Sequence, residues 1–370
     1  MLLQIVKGEK TFVNKDRNNH IDILKCIACF GVVMLHAPTK FFSDNFSYIE
    51  VALGRCGVPI FFMLSGYLMG KRSIQQNSRS ANRKMFLRQA VKMIKYYIFF
   101  ELLVSVLRYG LDMLKGAETA FMHMPDTGSI LKLLIFNVPL NNGILWYILA
   151  YAYCLFIYSL MSFFRNGYKI IAVLSPVLLL GYFVLGRYSV ILTGHKLDSY
   201  IASNFLFAAI PMFTIGFLLP KVNWRWLTPE NNRILIAVGI LIMSAESLAF
   251  YGTKGVNTRS NNLIFNIIVA FLLVYYVTHI KADDKRENIF AVIGCRYSLY
   301  IYVFQGVAAR MWITLISFGG KEPVTNLVSC FYEISKPLTV FITSLIVSWI
   351  YCGIKKVIIK LMRSSKNSLQ

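Results

Sequence analysis

The chain has 370 residues, 56% of them hydrophobic and only 15% charged, and a formal net charge of +22. Soluble domains of this length rarely carry so much apolar sequence, so the composition argues against an ordinary globule and predicts a polytopic membrane protein. The basic balance does not call for nucleic acid. Lys and Arg fall mostly between apolar runs, where topology and anionic headgroups account for them, so membrane lipids are the expected partners.

Residues 1–20 are polar and carry Lys7, Lys10, Lys15 and Arg17; they are expected to be a cytoplasmic N-terminal segment rather than a cleavable signal peptide. A helix needs roughly 20 apolar residues to cross hydrocarbon. Runs near 21–39, 49–70, 90–109, 144–164, 169–186, 202–220, 233–252, 262–280, 289–316 and 336–360 predict about ten spans. The run at 289–316 is long enough to include an interfacial turn. The expected fold class is therefore all-α, a polytopic transmembrane helical bundle over residues 21–361 with a cytoplasmic tail at 362–370. With the N-terminus in the cytoplasm, "KRSIQQNSRSANRKMFLR", "KADDKREN" and the tail from Lys355 all lie inside. That positive-inside bias puts both termini in the cytoplasm and requires an even number of spans. No internal repeat or separable soluble domain is visible.

The first run, "IDILKCIACFGVVMLHAPTK", carries Asp22, Lys25 and His36. Eleven residues turn a helix through about 1100°, within roughly 20° of three whole turns, so Lys25 and His36 share a face. Asp22 lies on or near it, and Lys25 and His36 are separated by a rise of about 16 Å. Two readings fit. In one, Asp22 and Lys25 snorkel to headgroups and His36 makes a packed polar contact at the helix end. In the other, the face lines a polar path and His36 handles a proton, since ionisable groups inside a membrane mark function and histidine titrates near neutrality. Cys26 and Cys29 read C-x-x-C, but in an apolar helix they, with Cys154 and Cys352, are expected to pack rather than pair.

The second run opens with Arg55 in "GRCGVPIFFMLSGYLMG" and is followed by Lys71, Arg72, Arg79, Arg83, Lys84 and Arg88. Glu101 and Arg108 fall in the third run, Glu246 in the seventh and Arg310 in the ninth. Some of these groups can pair with one another, but they exceed what packing needs and predict a water-accessible polar interior. The outside segments 110–143 and 317–335 carry Asp112, His123, Asp126, Glu322 and Glu333. Trp146 and Tyr147 begin the fourth run at its outer entrance, placed either for an aromatic belt or for stacking on a sugar ring.

Four segments resemble one known family. "IDILKCIACFGVVMLHA" is similar to the opening motif of membrane acyltransferase family 3, an acidic residue, a basic residue and a histidine 11 residues further on. "RCGVPIFFMLSGYLMGKR" resembles its second-span signature, "LWYILAYAY" at 145–153 its fourth-span motif and "YSLYIYVFQ" at 297–305 its late motif. The segments occur in family order over most of the chain. The resemblance implies a multi-pass O-acetyltransferase of the bacterial cytoplasmic (inner) membrane. Such a protein moves an acetyl group from acetyl-CoA to an extracytoplasmic glycan or lipid-linked sugar such as O-antigen or capsule. It further implies His36 as general base or transient acyl carrier, Lys25 and Asp22 on the donor side, and Arg55 stabilising an oxyanion or orienting the acceptor. Arg72, Arg83 and Arg88 would take the phosphates of acetyl-CoA, and Trp146, Tyr147 and Tyr302 would bind substrate. Ser65 is a further candidate carrier, although Ser beside Gly more often serves close helix packing. No metal is expected, and association with polysaccharide-synthesis machinery is possible. The chain departs from the family pattern at Lys25, where Arg is usual, and at Ile144 and Gln305, where His is common. His36 is thus the one motif histidine left. The competing reading is a permease or exporter with the same polar interior and no acyl-transfer chemistry.

Overall fold

The computed structural model describes residues 18–39, 44–114, 125–195, 197–251, 263–280, 288–318 and 323–367, and every regular element among them is helical. In chain order these are α1 (Asn19–His36), α2 (Asp44–Arg55), α3 (Gly57–Gln76), α4 (Arg79–Leu114), α5 (Thr127–Phe136), α6 (Trp146–Met161), α7 (Gly167–Leu185) and α8 (Ser189–Thr193). They continue with α9 (Ser199–Ala202), α10 (Ile210–Leu218), α11 (Pro229–Tyr251), α12 (Ile264–His279), α13 (Ile289–Arg296), α14 (Ser298–Phe318) and α15 (Pro323–Asn367). Most of the N-terminal segment, His123, most of the "KADDKREN" loop and Glu322 lie outside the described residues.

Among the described residues, 7 helical stretches are long and apolar enough to cross a membrane: Asn19–His36, Phe46–Gln76, Gly143–Met161, Gly167–Leu185, Pro229–Phe250, Ser298–Ile316 and Phe331–Met362. Thr127–Phe136, Phe205–Lys221 and Ile264–His279 are apolar but shorter. The run at 90–109 lies inside α4, whose 36 residues include Lys92, Lys95, Glu101 and Arg108. The long run at 289–316 divides at Tyr297 into α13 and α14. α7 and α11 turn Val173, Val177, Leu180, Ile234 and Leu241 outward. In water such faces would drive association, whereas in lipid they are the required surface.

The second run is broken between α2 and α3, and Pro59 explains where. A proline has no N–H to give to the carbonyl four residues back, which here is that of Arg55. The Cys56 amide instead bonds the Leu53 carbonyl at 3.2 Å, a tightened turn, and the ladder resumes from Ile60 to Cys56 at 3.0 Å. Arg55 is thereby left at the end of one helix, just before the bend.

α1 runs through the middle of the bundle, against α2, α3, α12, α13, α14 and α15. Asn18 caps it by accepting from the His20 amide at 2.9 Å, and its side-chain amide donates to the Val277 carbonyl at 2.9 Å. The beginning of α1 is thus tied to the end of α12. Two close crossings need glycine. A Cβ on Gly294 of α13 would strike the Asp22 carbonyl, and one on Gly66 of α3 would strike the Phe213 carbonyl of α10. Cys26, Cys29, Cys56 and Cys154 are buried and free, with Cys29 Sγ donating to the Ser298 carbonyl at 3.1 Å.

Candidate functional site

Two cavities lie along α1, with Tyr302 in the lining of both. The larger, about 530 Å³, lies at its C-terminal end and takes in His36, Arg55, Trp146, Tyr182, Tyr200 and Tyr302. His36 is the last residue of α1; its ring opens into this space and makes no hydrogen bond with any described residue. Arg55 reaches the same space from the end of α2 as a buried side chain. The turn at 136–139 supplies another wall. Asn137 sits there with φ 49°, in the left-handed region, and closes the helix end of α5. Its side chain accepts from the Phe205 amide at 2.6 Å and donates to the Trp146 carbonyl at 3.4 Å, so one buried asparagine joins three segments of the wall.

The smaller cavity, about 270 Å³, is lined by Lys25, Ser65, Arg72, Tyr147, Tyr151 and Tyr302, among others. Lys25 is held by Asp22 at 3.0 Å, one helical turn away. Asp22 itself is buried behind Lys25 and borders neither cavity. Ser65, Leu68, Met69 and Arg72 present one face of α3, at the spacing a helix requires. Ser65 Oγ and Tyr147 Oη are 3.4 Å apart. The rings of Phe62 and Tyr147 lie 4.6 Å apart, and Tyr147 meets Tyr302 edge-on at 5.6 Å.

Tyr302 borders both cavities. Its hydroxyl donates to the Ile144 carbonyl, so the chain uses the backbone at the position where the family often has a histidine. Gln305, the other departure, is buried and donates to the Tyr302 carbonyl at 3.1 Å; it borders neither cavity.

The remaining expected residues separate. Trp146 lines the His36 cavity and Tyr147 the Lys25 cavity, rather than a common entrance. Of the three arginines expected to hold phosphates, Arg72 alone lines the Lys25 cavity. Arg83 places its guanidinium 4.5 Å from the Phe163 ring centroid, and Arg88 lies in an open groove with Lys84, Lys92 and Lys95. None of Glu101, Arg108, Glu246 and Arg310 borders either cavity. Arg310 is bound to Asp112, and Glu246 takes the Tyr188 hydroxyl and the Phe265 amide at the start of α12. Glu101 accepts from the Asn141 and Asn142 amides at 2.6 and 3.2 Å, pinning the turn that leads into α6. Asn137, Tyr151, Tyr182 and Tyr200 were not anticipated from the sequence. The one local signal was the "FNVP" turn, which marks a chain reversal but not what it faces.

Chemically, the His36 cavity offers an imidazole whose nitrogens are not engaged by described groups, with a guanidinium on the same wall. That pair can accept a proton from a hydroxyl and stabilise negative charge on oxygen. The Lys25 cavity offers two cations at its sides and an aromatic interior, suited to a slender apolar arm that ends in phosphate. A family model described as an acyltransferase domain matches residues 18–353. No curated protein and no solved structure matches the chain.

Proposed function

The chain belongs to membrane acyltransferase family 3, and on that premise we propose that it is an O-acetyltransferase. In this reading it carries acetyl from cytoplasmic acetyl-CoA to a hydroxyl of an extracytoplasmic polysaccharide or lipid-linked sugar, in a bacterial inner membrane. The observation that carries the proposal is the shared position of Tyr302: one side chain stands between the cavity of Lys25 and Arg72 and the cavity of His36 and Arg55. A topology of about ten spans with both termini in the cytoplasm is supported if α4 and the short helices at 205–221 and 264–279 also cross.

Acetyl-CoA enters on the Lys25 side. Arg72 takes phosphate, Arg83 and Arg88 attract the anion on approach, and the acyl-bearing arm lies among Phe61, Tyr147 and Tyr151. Asp22 fixes the Lys25 ammonium at the donor side. The acceptor lies in the His36 cavity, with Trp146 beside it. Two routes close the reaction. In one, His36 takes the acceptor's hydroxyl proton as that oxygen bonds the acyl carbon; the C–S bond breaks, and the CoA thiolate receives the proton. In the other, an imidazole nitrogen of His36 first takes the acyl group as the C–S bond breaks and the ring's N–H proton passes to the CoA thiolate; the acceptor oxygen then displaces imidazole, which recovers its proton from the acceptor hydroxyl. Arg55 stabilises the oxyanion in both.

The test is transfer of label from radiolabelled acetyl-CoA to the host's surface glycan by the purified, reconstituted protein. Labelled glycan is expected. Uptake or export of solute with no labelled glycan would make the protein a permease instead.

A further inference from the structure

Beside the His36 cavity lies a third, about 220 Å³, that none of the proposed chemistry uses. Arg108 of α4 and Arg310 of α14 both line it, and Gly143 borders it as well as the His36 cavity. Each guanidinium has an acidic neighbour: Asp112 pairs with Nη1 of Arg310, and Glu101, which accepts from the backbone amides of Asn141 and Asn142, offsets the charge of Arg108.

The donors left over are informative. Arg108 uses only Nη1, for the Asn141 carbonyl at 3.2 Å and the Asn142 side-chain oxygen at 2.9 Å. Arg310 likewise uses only Nη1. Nε and Nη2 of both arginines donate to no described residue, and that edge is the one that grips an oxyanion with two parallel bonds. Gly143 is the residue shared with the His36 cavity, and a Cβ built on it would meet nothing within 4 Å.

We propose that this cavity is an oxyanion subsite for the acceptor, a phosphate or a carboxylate one unit away from the hydroxyl that His36 serves. The inference rests on the acyltransferase reading for its substrate and names the class: the acceptor is acidic. The volume suits one charged group and not a whole disaccharide.

The experiment is thermal unfolding of the purified full-length protein in chloride, inorganic phosphate or glucuronate at matched ionic strength. At least one oxyanion is expected to raise Tm above the chloride value. Arg108→Gln and Arg310→Lys should each bind it about tenfold more weakly. Arg310→Lys keeps a cation opposite Asp112 and loses only the planar fork, so it separates binding from folding. Stabilisation by phosphate assigns a phosphorylated acceptor, and stabilisation by glucuronate a uronic-acid one. No gain over chloride with either anion, or an undiminished gain in both variants, overturns the subsite. The readout needs no acyl transfer. A protein that binds the oxyanion but labels no glycan keeps the subsite and loses the acetyltransferase reading.

Discussion

The Lys25 and His36 cavities share Tyr302 but are made of different material. Every residue lining the Lys25 cavity comes from the helices α1, α3, α4, α6 and α14. The His36 cavity adds to its helical walls the turn at 136–139, Pro38 beyond the end of α1, Gly143 and Ser203 beyond α9. Helical walls are set by their own backbone ladders and by packing, so their side chains change little without disturbing the bundle. Turn walls accept substitution and insertion far more readily. Under the proposed function this is the expected division of labour. The donor is one compound and takes the rigid cavity, while the acceptor differs among glycans and takes the adjustable one.

The sharpest way to break that comparison is His36→Ala. It should lower acetyl transfer about 10²–10⁴-fold while leaving acetyl-CoA affinity unchanged, measured by label transfer and equilibrium binding on the same preparation. Equal losses in both would merge the two cavities into one functional unit. Next in size is Arg72→Ala, expected to weaken acetyl-CoA binding about 10–100-fold through loss of a charge-assisted bond. Arg83→Ala and Arg88→Ala should each stay within a fewfold of wild type, because both side chains point away from the Lys25 cavity. Matching losses at all three would restore a common phosphate cradle. The smallest effect is assigned to Tyr302→Phe. It keeps the partition, removes the bond to the Ile144 carbonyl and should destabilise the protein by about 1 kcal/mol in chemical denaturation. A loss several times larger would mean that the hydroxyl, and not the ring, holds the shared wall together.

Helical periodicity explains both what was legible and what was not. The 11-residue spacing of Lys25 and His36 could be read directly, and the structure puts each at a cavity. The bend at Pro59 next to Arg55 is a finding of the structure, because the run at 49–70 reads as one continuous span. The same periodicity separates two pairs that are near in sequence. Arg83 and Arg88 are five residues apart on α4, about 140° around the helix, so one meets Phe163 while the other joins Lys84 and Lys92. Trp146 and Tyr147 are consecutive, about 100° apart, and open on different cavities. What no period could show is closure between distant segments. Asn137 reaching Phe205, and Arg310 reaching Asp112, link residues far apart in the chain, with no pattern in either segment to announce the partner.

The placement of Tyr302 also bears on bioenergetics. Under the proposed function the host membrane holds a proton-motive force, and an unbroken file of water from Lys25 to His36 would leak it. Tyr147 lies edge-on to Tyr302 and Phe62 packs against Tyr147, so aromatic rings cluster at the residue common to the two cavities. An acyl group handed past them carries no net charge, and in that reading the bilayer exports a chemical modification while remaining an electrical insulator.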